Sequence, residues 1–165
     1  MITIRRALEE DAERISRCLA AAFEPFRSEY TDGAYADTVP AADAIRDRMA
    51  HMAVFAAVTA DGEIVGTVAC AVEGDEGHLR GMAVHPAWQG HGIAEQLLGL
   101  VVRELRGAGC LQITLDTTEP LRRAASFYRR SGFTPSGKVT DFFGMPLYEY
   151  AKPLAGCSNA RDRMS

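Results

Sequence analysis

The sequence predicts a single α/β (α+β) domain on a mixed central sheet. The sheet is antiparallel in its N-terminal half, parallel at the strand entering a glycine loop, and flanked by about four helices. Three observations carry this. β-rich runs over 53–60, 63–72 and 78–84 follow one another, separated by Asp61-Gly62 and by the turn residues 73–77. Leu97, Leu98, Val101, Val102 and Leu105 then recur at amphipathic-helix spacing, directly after Gly90-His91-Gly92. A further run at 110–116 follows, and a strand, helix and strand of this length should be parallel with a right-handed crossover.

Composition bounds the function. At 165 residues the chain forms one domain by default, with a core that needs no staples. The formal charge of −4 points to neither nucleic acid nor an anionic membrane as a bulk partner. No apolar run approaches the ~20 residues of a membrane span, and the N-terminus lacks a signal-peptide core, so a cytoplasmic protein is expected. Cys18, Cys70, Cys110 and Cys157 are scattered, and His51, His78, His85 and His91 lack ligand spacing, so no metal is expected. The first three cysteines lie in apolar segments, as small core residues do.

In chain order, Ile2-Thr3-Ile4 reads as a first strand. Leu8, Ala12, Ile15, Leu19 and Phe23 mark an amphipathic helix with Glu9, Glu10 and Asp11 at its dipole-favoured end, stopped by Pro25. Residues 26–40 show little periodicity. They carry Arg27, Tyr30 and Tyr35, with Asp32-Gly33 as a turn. A loop of this length is a surface cover, an acceptor-binding segment or a concealed short helix. Residues 40–52 form a second helix with Ile45, Met49 and Met52 towards one face. After the three strands and the crossover helix, Gly107-Ala108-Gly109 supplies a C-cap. Residues 121–130 are helical and end at Ser131-Gly132, and 134–140 with 142–152 form a closing hairpin around Asp141. The domain is expected over 1–153, with 154–165 as a flexible tail. The closing strands offer an edge through which two copies could pair as a homodimer.

A strand feeding a glycine-rich turn that opens a helix suits phosphate, because glycines let backbone N–H groups approach an anion and the helix start adds unpaired donors. A tight connection alone also explains Gly90-His91-Gly92. The order Gln89-Gly90-His91-Gly92-Ile93-Ala94, with Val84-His85-Pro86 upstream, resembles the acyl-CoA signature of the GNAT superfamily of N-acetyltransferases. A second signature resembles the same family: Ala124, Tyr128 and Gly132-Phe133 on the next helix. The resemblance spans roughly residues 1–152 and is strongest from His78 to Phe133. Two departures stand out. His91 replaces the usual Lys or Arg, and Leu121 takes a place often held by Asn near the pantetheine arm.

The resemblance implies an N-acetyltransferase moving acetyl from acetyl-CoA, as co-substrate, to a primary amine by direct attack. It implies that Gln89, Gly90, His91, Gly92, Ile93 and Ala94 hold the pyrophosphate and that Met82, Ala83 and Val84 meet the pantetheine arm and the oxyanion. Tyr128 takes the place of the general acid near the sulfur. Glu73, Glu76 and His78 are base candidates, though exposed turn residues explain them better. Arg129 and Arg130 lie near enough in sequence to reach phosphates, or form a solvated basic face. A non-catalytic CoA-binding sensor is the alternative. A dinucleotide-binding Rossmann domain fails, since the third glycine of its fingerprint is missing and the loop follows antiparallel strands.

Overall fold

A computed structural model describes residues 1–154. Seven strands form one sheet: β1 (Ile2–Arg6), β2 (Ala53–Thr59), β3 (Ile64–Glu73), β4 (Glu76–Val84), β5 (Gln112–Thr118), β6 (Thr134–Phe142) and β7 (Met145–Pro153). Their order is β1-β2-β3-β4-β5-β7-β6, antiparallel except for β4–β5. Five α-helices accompany them: α1 (Ala12–Phe23), α2 (Asp32–Thr38), α3 (Ala42–Met49), α4 (Ile93–Gly107) and α5 (Arg122–Arg130). The mixed sheet and its parallel switch after the glycine loop follow the sequence expectation.

Alternation along the strands from β2 to β5 builds the two larger cores. Phe55, Val68, Cys70, Leu79, Ile113 and Leu115 face α4 and α5, where Leu97, Val101, Leu105 and Phe133 meet them. Val54, Ala56, Val58, Ala69 and Ala83 face the other way, onto Ile15, Leu19 and Ile45 of α1 and α3. The first helices cover the β1–β4 half of their face; the β5–β7 half of that face is left to the polar cleft described below. Burial pushes the Cys18 thiol up to about 12 and the Cys70 thiol up to about 11, so both remain neutral packing groups.

Several expectations change or narrow. Of the readings open for residues 26–40, the structure shows the concealed short helix: a 3₁₀ turn (Glu24–Glu29) leads to α2, whose N-cap Thr31 accepts from the Ala34 N–H at 3.2 Å. Asp32-Gly33 thus opens a helix in place of a turn. The turn at 73–77 tightens to Gly74-Asp75, because Glu73 and Glu76 pair directly and extend the hairpin, and the closing turn lies at Phe143-Gly144 in place of Asp141, because Asp141 and Phe142 pair with Pro146 and Met145. Leu154, expected in the tail, is 1% exposed in the main core, with its N–H on the Leu111 carbonyl at 2.9 Å. The rest of the expected tail, with Cys157, lies outside the described residues.

Asp11 ties β1 to α1. Its carboxylate, fully buried, accepts from Arg5 at 2.7 Å, Arg14 at 2.8 Å and the Leu8 N–H at 2.8 Å. The Arg5 guanidinium holds the carboxyl below its usual range, against burial, which pushes it up. A depressed carboxyl contributes stability above its unfolded pKa and loses it as pH falls through the folded one. Asp11→Asn should therefore cost about 2 kcal/mol at neutral pH, a melting point lower by ~4–8 °C. In thermal melts taken at decreasing pH the gap to wild type should close in acid.

Candidate active site

The site is made by a bulge. Thr67 of β3 pairs with Ala83 and Ala69 pairs with Arg80, so Gly81 and Met82 together oppose Val68. One extra residue bends β4 and sharpens its twist. Gly81 takes up the bend at φ +64°, and a Cβ there would stand 2.9 Å from the Arg48 Nη1. The consequence appears on the opposite edge. β4 pairs with β5 only from Glu76↔Gln112 to Leu79↔Leu115, whereas β5 continues to Thr118 along β7. Among the described residues, β4 has no partner on that side from Arg80 to Val84. The two strands splay, leaving a row of backbone groups open to an extended ligand.

At the far end of the splay stands the glycine turn. Gly90 and Gly92 have φ of +83° and +79°, and a Cβ at either would meet nothing within 4 Å. Gly92 caps α4, whose first internal bond runs from the Gln96 N–H to the Gly92 carbonyl at 3.1 Å. Among the described residues, the N–H groups of Gly90, His91, Gly92, Ile93, Ala94 and Glu95 have no acceptor in the protein. Unpaired donors, open space and the positive end of a helix dipole together can hold a phosphate.

The side chains of this turn brace it. Ile93 is 2% exposed in the main core, so only its backbone is available to a ligand. Gln89 donates to the Val84 carbonyl at 3.3 Å and accepts from Arg123 at 3.1 Å, linking β4 to α5. His91 folds back, with Nδ1 3.1 Å from both the Trp88 and Gln89 carbonyls and its ring 5.5 Å from that of Trp88. Met82 and Val84 pack towards the α4 face, and Ala83 is buried against the α1 side. Arg129 turns away from the glycine turn to Tyr150, at 3.2 Å and over its ring. The arginine that reaches the turn's side chains is Arg123.

Tyr128 lies on α5, 6% exposed, with its ring edge-on to Phe133 at 5.7 Å. Its hydroxyl makes no hydrogen bond among the described residues. Burial pushes the phenol up from its usual value, so it keeps its proton through the neutral range.

On the other face, beside the last β4–β5 pair, a cleft of about 260 Å³ is lined by Glu73, Glu76, His78, Asp116, Lys138 and Glu149, among others. The parallel register sets His78 opposite Thr114, next to Asp116. His78 Nδ1 is 2.8 Å from the Thr114 hydroxyl, and Nε2 is 3.6 Å from Asp116 Oδ2. Burial raises the Asp116 carboxyl, His78 opposes that shift, and Glu149 adds to it. Above the cleft, Tyr30 and Thr118 share a hydrogen bond, and Tyr30, Ala34 and Met145 form a small core joining the α2 segment to the β6–β7 hairpin. Asp116 and Glu149 escape a motif search because neither belongs to a local pattern. Only the strand register brings them to His78.

Comparison with known proteins places this geometry in a family. Residues 13–133 match the model of the acetyltransferase (GNAT) family. An aminoglycoside N(6')-acetyltransferase type 1 of Stenotrophomonas maltophilia is 37% identical over 107 residues, 59% of this chain and 69% of that protein. A GNAT-family acetyltransferase of Staphylococcus aureus superposes with a TM-score of 0.77 at 18% identity, over 93% of this chain and 99% of the other. The PaiA N-acetyltransferase of Thermoplasma acidophilum, solved in complex with coenzyme A, does so with the same score, identity and coverage. Residues 13–133, which carry the bulged β4, the splayed edge and the glycine turn, match the family model, so the chain belongs to the acetyltransferase (GNAT) family and is an acyltransferase.

Proposed function

We propose that the chain transfers acetyl from acetyl-CoA to a primary amine by direct attack, with both substrates bound together. The observation that carries this is the splay itself: a thioester arm entering on the α4 side meets an acceptor entering on the cleft side. The unpaired N–H groups from Gly90 to Glu95 would receive the pyrophosphate, and the free edge near Met82, Ala83 and Val84 the pantetheine arm. When bound, acetyl-CoA supplies the activated acetyl thioester. His78 takes a proton from the acceptor's ammonium, and the neutral amine that results attacks the thioester carbonyl. Backbone N–H groups on the free edge of β4 receive the negative charge growing on the carbonyl oxygen. Tyr128 passes its proton to the departing sulfur.

The proposed acceptor is a small polycationic amine. Glu73, Glu76, Asp116 and Glu149 outnumber Lys138 in the cleft, and concentrated negative charge draws cationic amines. The Stenotrophomonas relative is named for one such class, the aminoglycosides. The test is thiol release from acetyl-CoA against aminoglycosides, linear polyamines, simple monoamines and peptide N-termini. Turnover confined to polycations supports the reading. Turnover on peptides alone would overturn the acceptor class, and CoA binding without turnover on any amine would leave only the sensor role.

The glycine turn has its own check. Asn tolerates positive φ, so Gly92→Asn should leave the melting point within about 4 °C while placing atoms in the ligand's space. Affinity for CoA should fall about tenfold or more in calorimetric titration, since misplaced N–H donors forfeit charge-assisted bonds.

A further inference from the structure

Thr117 and Thr118 end β5 side by side, and the structure treats them differently. Thr118 faces the α1 side, where its hydroxyl bonds Tyr30. Thr117 is in phase with Ile113 and Leu115, whose side chains lie in the α4–α5 core, and its β7 partner Tyr148 packs against that core. Thr117 is 5% exposed, yet among the described residues its Oγ1 is buried with no hydrogen-bond partner. A valine has the same shape and would fill this place without that cost.

The position supplies the partner. Thr117 lies two residues past Leu115, the last β5 residue paired with β4, so it borders the splay on the face that also carries Tyr128. Leu121, nearby at the N-cap of α5, carries no polar side-chain group and packs against the α1–α3 core. We propose that the Thr117 hydroxyl is a hydrogen-bonding contact for the pantetheine arm of acetyl-CoA, supplying polarity that Leu121 does not. This rests on the reading of the splay as the acetyl-CoA site. The free protein carries the cost of an unpaired hydroxyl, and the bound arm removes it.

The test uses the full-length protein with two probes: CoA, and adenosine 3′,5′-bisphosphate, which keeps the 3′-phosphate and the inner 5′-phosphate but has no pantetheine. Thr117→Val should weaken CoA about tenfold, the worth of one well-made buried bond, and leave the bisphosphate unchanged. Without ligand its melting point should rise by ~2–4 °C, because the unpaired hydroxyl is gone. Thr117→Ser should restore CoA affinity to near wild type. Equal CoA affinity for wild type and Thr117→Val, or equal losses for both probes, would overturn the contact. Wild-type protein that binds the bisphosphate but not CoA would do so too. Wild-type protein binding neither probe would remove the acetyl-CoA reading, and this one with it.

Discussion

Tyr128→Phe should lower kcat by about 10²–10³-fold while leaving CoA affinity within a factor of about three. The ring packs edge-on to Phe133 in the main core and is retained. The hydroxyl has no partner among the described residues, so its removal breaks no bond of the free protein. Thermal melts should accordingly agree with wild type within about 2 °C, which separates a chemical defect from a folding one. Burial raises the phenol above its ordinary value near 10, so Tyr128 stays protonated across any practical assay range. A basic limb of the rate profile below pH ~10 thus belongs to another group. Pre-steady-state thiol release is the decisive measurement: an unchanged rate would end the general-acid role.

Motifs and register informed the site differently. The glycine turn and the α5 signature are local strings, legible because glycine at positive φ and a tyrosine on a set helix face are fixed by neighbouring residues. Strands also followed from alternation, but their ends did not: Glu73 and Glu76, charged and turn-like in sequence, extend a hairpin across Gly74-Asp75, β5 runs on to Thr118, and Asp141 lies within β6. The helix α2 was hidden because Asp32-Gly33 resembles a turn; its stability comes from the Thr31 cap and from Ala34 and Tyr30 packed on Met145, more than a hundred residues away. The bulge at Gly81-Met82 leaves no string to find, yet it opens the splay. Arg129 and Arg123 show the same limit, since two arginines on one helix point to Tyr150 and to Gln89 respectively.

The proposed base, His78, is the clearest case of register exceeding motif, and His78→Gln should lower kcat/KM for the acceptor by about 10²-fold or more, with CoA affinity unaltered. Thr114 has one hydroxyl proton. In the tautomer that donates Nδ1–H to Thr114 Oγ1 at 2.8 Å, that proton goes to Glu76 at 3.4 Å or to the Gly77 carbonyl at 3.5 Å. That tautomer keeps the lone pair on Nε2, towards Asp116 and the cleft. Once Nε2 takes the ammonium proton, the Asp116 carboxylate at 3.6 Å favours the cation that results. The charge beside His78 offers a second check. Asp116→Asn removes the carboxylate that favours the imidazolium, so kcat/KM should fall, by less than in His78→Gln. Unchanged kcat/KM in both variants would assign the base to a group outside this pair, and Glu73 and Glu149 would become the carboxylates to replace next.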